Sequence, residues 1–316
     1  MPELYRFVYD SLDCNPKLVY GDNVIISVAG SQQDDPLSEL EFCESVQPPI
    51  LLEREAQTTL GFVYDIDLEG EISSVARDVQ AIIDSHLLTG LLLNECKCEI
   101  TAKNFDIIDE TAVFKDFKRI VMADLTLVGA PIREGRAVDN ALQDKIFTLE
   151  RSITRLSKLQ SHDALCLLKN LLAMPKLLYI LRTSPCANNP LLHEFDTVLR
   201  AELESTLNIQ LSDEHGKQAS LPVPMEGLGV RSACMLASSV FLAAAAATLP
   251  LQEATLSAFL AGVDDSAVNN AKTALTSQAN TSEPSDAAKH IQRAWDAHIA
   301  MAVYHCLLQT CSRPSV

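Results

Sequence analysis

The chain has 316 residues, of which 47% are hydrophobic and 21% are charged, a composition typical of a folded rather than a disordered protein. Its net charge of −17 makes it a poor default binder of nucleic acid, because such binding draws much of its affinity from Lys and Arg on phosphates. The nine cysteines are scattered and the N-terminus shows no export signal, so we expect reduced thiols in an intracellular protein. The longest apolar run, Val240 to Leu251, is too short to span a bilayer, so we expect no membrane contact.

Two hairpins are predicted in the first part of the chain. Apolar runs within residues 17–27 flank a Gly-Asp-Asn turn, which indicates the first hairpin. A polar loop follows, and Pro36 then opens a predicted helix over 37–46. Leu60 to Gly70 predicts the second hairpin, because two β-branched and aromatic runs flank an acidic tip. That tip is either a Mg²⁺ site, since hard cations take carboxylate oxygens, or a solvated turn.

Helical patterns dominate the rest of the chain. Residues 71–88 have apolar positions at helical spacing and end near Gly90, a natural helix C-cap. From Ala137 an apolar stripe (Leu142, Ile146, Leu149, Ile153 and Leu156) predicts a long helix, and Pro175 should kink or end the next one. Further helices are predicted around 192–203, 231–248 and 287–308, with a mobile connector over 264–286.

One segment is basic within this acidic chain. Residues 145–182 carry seven Lys and Arg side chains against two carboxylates. The basic side chains lie mostly opposite the apolar stripes, so this face is either an ordinary solvated surface or one that lies along a nucleic-acid duplex.

The order of several short motifs resembles that of the reverse transcriptases (RNA-directed DNA polymerases) of non-LTR retrotransposons. Gly30 to Leu37 resembles the family's Gly-x-Gln-Gln-Gly-Asp-Pro-Leu motif, and Gly61 to Gly70 resembles its metal-binding hairpin. Gly90 to Glu99 is similar to the segment that follows in the palm domain. Leu127 to Ile132 is similar to the hairpin that grips the primer end. Later segments, over 162–182 and 219–232, look like the thumb and the helical C-terminal region.

The resemblance implies a set of functional residues. Asp65 would be the residual catalytic carboxylate, with Lys97 as a further catalytic residue. The remaining positions fall into three groups: nucleotide and template binding by Gln32, Gln33, Asp35, Pro36 and Asn94; a primer grip at Leu127, Val128 and Gly129; and nucleic-acid backbone contacts by Arg151, Arg155 and Lys158.

Three departures from the family pattern predict an inactive protein. Tyr64 stands where the family has the first aspartate of the hairpin, and a phenol with a pKa of about 10 is a poor anionic ligand. Asp34 replaces a glycine that lets the backbone pass close to the nucleotide. The family's first catalytic strand, with its own aspartate, is expected before residue 1. We therefore expect no cofactor, and Mg²⁺ only if the protein were active.

The expected fold class is α+β. A partial reverse-transcriptase palm of antiparallel hairpins and packing helices would span 1–132, followed by a helical thumb over 133–185 and a helical C-terminal region over 186–316. By the resemblance the partners are RNA and DNA, and an open sheet edge would permit self-association. Two other interpretations stay open: a non-catalytic interaction module built from the helical half, and a polymerase completed by a separate chain, against which Tyr64 argues.

Overall fold

The computed structural model describes residues 17–26, 37–40, 42–44, 54–62, 65–88, 90–256, 266–279 and 283–311, together with Arg6 and Tyr9. The chain divides into two compact units, Met1–Met122 and Ala123–Val316. The first unit mixes short strands and helices and the second is mostly helical, so the fold class is α+β, as the sequence predicts. The domain limits at 132 and 185 that the sequence suggests stay predictions. The larger hydrophobic cluster of the second unit includes both Leu181 and Cys186.

Three pairs of short strands are described in the first unit. Their bounds are β1 (Lys17–Tyr20) with β2 (Asn23–Ile26), β3 (Thr58–Phe62) with β4 (Asp65–Glu69), and β5 (Glu99–Ile100) with β6 (Lys118–Arg119). The first two pairs are the two predicted antiparallel hairpins, and Gly21 takes a φ of 58° in the turn between β1 and β2. The pair β5–β6 is parallel, which differs from the antiparallel hairpins that the sequence predicts.

A long helix covers the core of the first unit. Helical residues are described at 38–40 and 42–44, within the predicted helix over 37–46. Later in this unit come α1 (Ile72–Leu88) and the single turn α2 (Asp106–Asp109). The apolar face of α1 packs with the buried side chains of Ile108, Phe114 and Phe117, and the two phenyl rings meet edge to face at 5.5 Å between centroids. Gly90, with a φ of 78°, ends α1 as predicted, because glycine adopts this left-handed conformation without steric cost.

The second unit opens with a small hairpin and continues as helices. Its elements are β7 (Thr126–Leu127), β8 (Ala130–Pro131), α3 (Arg136–Leu156), α4 (Ser161–Leu167), α5 (Met174–Thr183), α6 (Pro190–Leu207), α7 (Asp213–Ser220), α8 (Ala233–Leu256), α9 (Ser266–Ala279) and α10 (Gln292–Cys311). The hairpin and the helices α3 and α6 lie where the sequence predicts them. Helix α8 begins and ends later than the predicted 231–248 and runs on through Pro250.

The junction between α4 and α5 has an irregular backbone. Residues Leu168–Leu172 form a π-helical turn, and Ala173 takes φ and ψ of −80° and −114°. Pro175 follows in the first turn of α5, where its missing N–H has no helical partner to lose. The predicted effect of Pro175 is therefore confirmed as an end of one helix and the start of the next.

Helix α9 corrects the predicted connector over 264–286. Its composition is rich in Ala, Ser, Asn and Thr, which on sequence grounds is typical of a loop. In the structure Ala271, Ala274 and Leu275 lie on one helical face and are buried. Ala271 and Leu275 belong to one hydrophobic cluster with Leu242 and Trp295. This packing stabilises the helix, so tertiary burial overrides a weak local preference.

Two hydrophobic clusters hold the helical unit together. The larger one takes in most of the predicted stripe on α3, with Leu142, Ile146 and Leu149 almost fully buried, and adds residues from α4, α5, α6 and α8. The smaller one joins the middle of α8 to α9 and α10 around Trp295, whose indole N–H donates to the carbonyl oxygen of Lys289 at 2.7 Å.

Two helical stretches of this unit, Ser161–Thr183 and Ala233–Ala254, are long and apolar enough to cross a membrane by length and composition alone. Core helices of soluble proteins meet the same criterion, and both stretches supply buried residues to the larger cluster. The two stretches are therefore weak grounds for a membrane assignment.

Candidate functional site

The β3–β4 hairpin carries the predicted catalytic carboxylate beside its tip. Asp65 is the first residue of β4, pairs with Phe62 and is exposed. Tyr64, the decisive departure in the sequence, lies outside the described residues. Asp67 lies opposite Leu60 and, being two residues on in a strand, faces the same side as Asp65.

The environment of Asp67 is unfavourable for a second anion. Partial burial raises the pKa of the Asp67 carboxyl, and the nearby charge of Asp65 raises it further. Within the part of the chain that the structure describes, no group of three His, Cys, Asp or Glu side chains is placed to hold a metal ion. The described hairpin therefore presents two neighbouring carboxylates that repel each other, and Glu69, the third carboxylate on β4, does not complete a group placed to hold a metal ion.

A buried aspartate that the sequence does not single out fixes the base of this hairpin. Asp78 on α1 accepts hydrogen bonds from the backbone N–H of Glu55, at 3.0 and 3.1 Å, and of Ala56, at 2.8 Å. Arg77 forms an ion pair with the Glu55 side chain. The chain is close-packed beside these bonds, because a Cβ atom added to Gly70 would lie 3.0 Å from the backbone nitrogen of Gln57. The only signal in the sequence that could have identified Asp78 is its position beside the apolar face of a predicted helix.

The other predicted palm residues are either exposed or lie outside the part of the chain that the structure describes. Asn94 is exposed, and its backbone oxygen accepts the Lys97 N–H in the short 3₁₀ turn that follows. Lys97 is exposed as well, and no described hydrogen bond or ion pair connects either side chain with Asp65. The four predicted nucleotide- and template-binding residues of the polar loop lie outside the described residues: Gln32, Gln33, Asp35 and Pro36.

The predicted primer grip forms a strained tight turn. Val128 and Gly129 connect β7 and β8 with φ of 50° and 75°, the left-handed values that tight hairpin turns require. Valine takes this conformation only at a steric cost, because its Cβ is branched. The Tyr179 hydroxyl on α5 donates a 2.5 Å hydrogen bond to the Val128 carbonyl and so holds the turn in place. Such backbone strain concentrates at functional sites.

The predicted backbone-binding residues lie together on the surface of the helical unit. Arg151 and Arg155 are exposed one turn apart on α3, and Lys158 follows in the turn after the helix. These three residues are called the basic stripe below. None of them forms an ion pair with a described residue, whereas Arg136 is paired with Asp124. Side chains that stay unpaired in a chain so rich in carboxylates are free to meet an external anion.

An exposed aromatic ring extends the basic stripe. Phe147 lies one helical turn before Arg151, and 60% of its surface is exposed. Arginine together with an exposed aromatic side chain is typical of surfaces that bind single-stranded or partly unpaired nucleic acid, where bases stack on the ring. Sequence reasoning missed Phe147, although its position opposite the apolar stripe could have identified it.

Comparison with known proteins adds no family assignment. No protein-family model matches the chain, and no curated protein matches it. The features that bear on function are therefore the motif order in the sequence and the geometry of the hairpins and the basic stripe.

Proposed function

We propose that the chain derives from a non-LTR reverse transcriptase, has lost nucleotidyl transfer, and binds nucleic acid through its helical unit. The motif order supports the derivation, since an acidic hairpin, a packing helix, a primer-grip-like turn and a helical thumb follow one another in the family's sequence. The lack of catalysis is inferred from chemistry. Two-metal transfer needs carboxylates from separate strands, and the carboxylates of the described hairpin, Asp65, Asp67 and Glu69, all lie on the one strand β4.

The observation that carries the binding proposal is the unpaired state of the basic stripe. Several other arginines on the described surface have carboxylate partners, as Arg200 does with Asp213 at 2.8 Å. The basic stripe keeps three cations within a short exposed segment and adds the ring of Phe147. Exposed cations without carboxylate partners are available to neutralise the phosphates of a nucleic-acid backbone.

The test is binding of a short RNA–DNA duplex to the full chain, followed by fluorescence anisotropy at several salt concentrations. With about three phosphate contacts, the logarithm of the association constant should fall with the logarithm of salt at a slope of about −2 to −3. Charge reversal of the basic stripe (Arg151→Glu, Arg155→Glu and Lys158→Glu) should weaken binding by about tenfold or more and flatten that slope.

A matched control separates a local surface from overall charge. Lys115, Lys217 and Arg293 are exposed cations outside the stripe, and their reversal to Glu changes the net charge by the same amount. If both triple variants lose binding equally, or if neither does, the basic stripe is an ordinary solvated face and the binding proposal is wrong. Circular dichroism on each variant confirms that the comparison is between folded proteins.

A further inference from the structure

A polar cavity of about 460 Å³ lies in the helical unit, away from the basic stripe residues. It forms where the start of α3, the loop between α5 and α6, and the outer face of α9 come together. The described side chains that give it a chemical character are Glu134, Asp139, Asn188, Asn189, Asn270 and Thr273. The volume falls within the range of about 300–1,000 Å³ that is typical of small-molecule sites.

The described lining is rich in acceptors and has no basic side chain. Asp139 and Asn189 are joined by a 2.8 Å hydrogen bond, and Asn189 also caps α6 by accepting the Leu191 N–H. These two side chains are therefore fixed in place. Thr273 donates its hydroxyl hydrogen to a carbonyl in its own helix and keeps its oxygen as an acceptor.

Three lining side chains have no partner within the described chain. Neither the carboxylate of Glu134 nor the carboxamides of Asn188 and Asn270 take part in a described hydrogen bond or ion pair. Of the basic residues next to the lining in sequence, Arg136 pairs with Asp124 and Lys272 pairs with Glu283 at 3.0 Å. Arg133 makes no described ion pair and is not part of the lining. The described lining itself therefore carries two carboxylates and no cation.

The negative charge of Glu134 affects a buried thiol in the same unit. Burial raises the pKa of the Cys186 thiol to about 12, and the Glu134 charge contributes to this rise. The positive end of the α3 dipole lies at the same place and would favour an anion, but Asp139 already occupies the first turn of that helix. With two carboxylates on the lining, a further anion is repelled and a cation is attracted.

We propose that this cavity binds a small organic cation with several N–H donors, of the polyamine class. Carboxylates would pair with the ammonium groups, and the carboxamide and hydroxyl oxygens would accept the remaining N–H bonds. A metal ion fits less well, because no described group of three His, Cys, Asp or Glu side chains is placed to hold one. The site is separate from the basic stripe, and the proposal does not depend on nucleic-acid binding.

Isothermal titration calorimetry of the full chain with spermidine at constant ionic strength tests the proposal. We expect saturable binding of one spermidine per chain. Glu134→Gln should weaken it by about tenfold or more, since a charge-assisted hydrogen bond is lost. Asn270→Lys, which places an ammonium group into the cavity, should abolish it. Both positions are exposed and make no described hydrogen bond or ion pair, so we expect both variants to fold.

Glu150→Gln is the control, because Glu150 is an exposed carboxylate on the same helix α3 and is not part of the lining. Binding by the Glu150→Gln variant should equal that of the parent. The proposal is overturned if titration with spermidine is not saturable, or if Glu134→Gln and Glu150→Gln bind alike. It is also overturned if Mg²⁺ at the same concentration displaces spermidine as effectively as a second polyamine does.

Discussion

At the scale of single residues, Glu202 shows how burial sets the chemistry of a side chain. It lies on α6 within the helical unit, with only 5% of its surface exposed. Burial raises the pKa of the Glu202 carboxyl above its ordinary value of 4.5, and a 3.1 Å hydrogen bond from the Thr206 hydroxyl opposes that rise. The folded state therefore favours the neutral acid, and ionisation at neutral pH works against folding.

We predict that Glu202→Gln stabilises the protein at neutral pH. The amide is neutral at every pH, and its oxygen can still accept the Thr206 hydrogen bond. The stability that Glu202 contributes is full below its unfolded-state pKa and is lost as pH rises through the raised folded-state pKa. The urea midpoint of the variant should thus exceed that of the parent at about pH 8 and converge with it at about pH 3.5.

The matched control for this prediction is Glu194→Gln, an exposed carboxylate on the same helix. It removes the same charge without relieving burial, so its effect on the urea midpoint should be small and nearly independent of pH. A gain at pH 8 that is equal in both variants would attribute the effect to net charge and contradict the role given to burial.

At the scale of the element, helix α8 depends on an aspartate from α6. Asp196 accepts the Ala233 N–H at 2.6 Å, the Cys234 N–H at 3.1 Å and the Ser232 hydroxyl at 2.6 Å. Ser232 in turn accepts the Met235 N–H at 3.2 Å. These bonds satisfy amides that have no partner within the helix, and the negative charge lies at the positive end of the helix dipole.

We predict that Asp196→Ala lowers the free energy of unfolding by about 2–3 kcal/mol, because several charge-assisted bonds to a helix start are lost at once. Asp196→Asn should cost less, since its carboxamide oxygen still accepts part of the set. Urea denaturation followed by circular dichroism measures both, with Glu194→Ala as the exposed control on α6. Equal stability of Asp196→Ala and the control would show that Asp196 does not hold α8.

Much of the element pattern could be predicted from the sequence because its signals are local. The β1–β2 and β3–β4 hairpins follow from apolar runs around turn residues, and the α3 stripe follows from helical periodicity. Helix α9 could not be predicted in the same way, because its stability comes from contacts with α8 and α10 rather than from its own composition. The parallel pairing of β5 with β6 is equally non-local.

The candidate sites also differ in whether local sequence signals or non-local contacts determine them. The exposed position of Asp65 beside a hairpin tip and the tight turn at Val128 and Gly129 follow from short-range patterns. By contrast, the role of Asp78 at the hairpin base and the cavity between α3 and α9 depend on residues that are distant in sequence. No periodicity rule brings such groups together, so only the structure could identify them.

At the scale of the whole molecule, the overall charge and the local charge of the basic stripe have opposite signs. The net charge of −17 repels nucleic acid in general, while the basic stripe offers a local site of the opposite sign. Any duplex bound there is opposed by the rest of the surface at low salt, so affinity should be modest. The division of the chain at Met122–Ala123 assigns the acidic hairpin to one unit and the basic stripe to the other.

We predict that the full chain does not extend a primer on an RNA template, and that Tyr64→Asp alone does not restore extension. A restored aspartate would lie beside Asp65 on one hairpin, whereas metal catalysis needs its ligands from separate strands together. Tyr64→Asp with Asp34→Gly, joined behind the fingers and first palm strand of an active reverse transcriptase, should recover some template-dependent synthesis. Incorporation of labelled nucleotide, with a template-free reaction as control, measures each protein. Extension by the unmodified chain would contradict the loss of activity, and failure of the folded graft would contradict the derivation from this family.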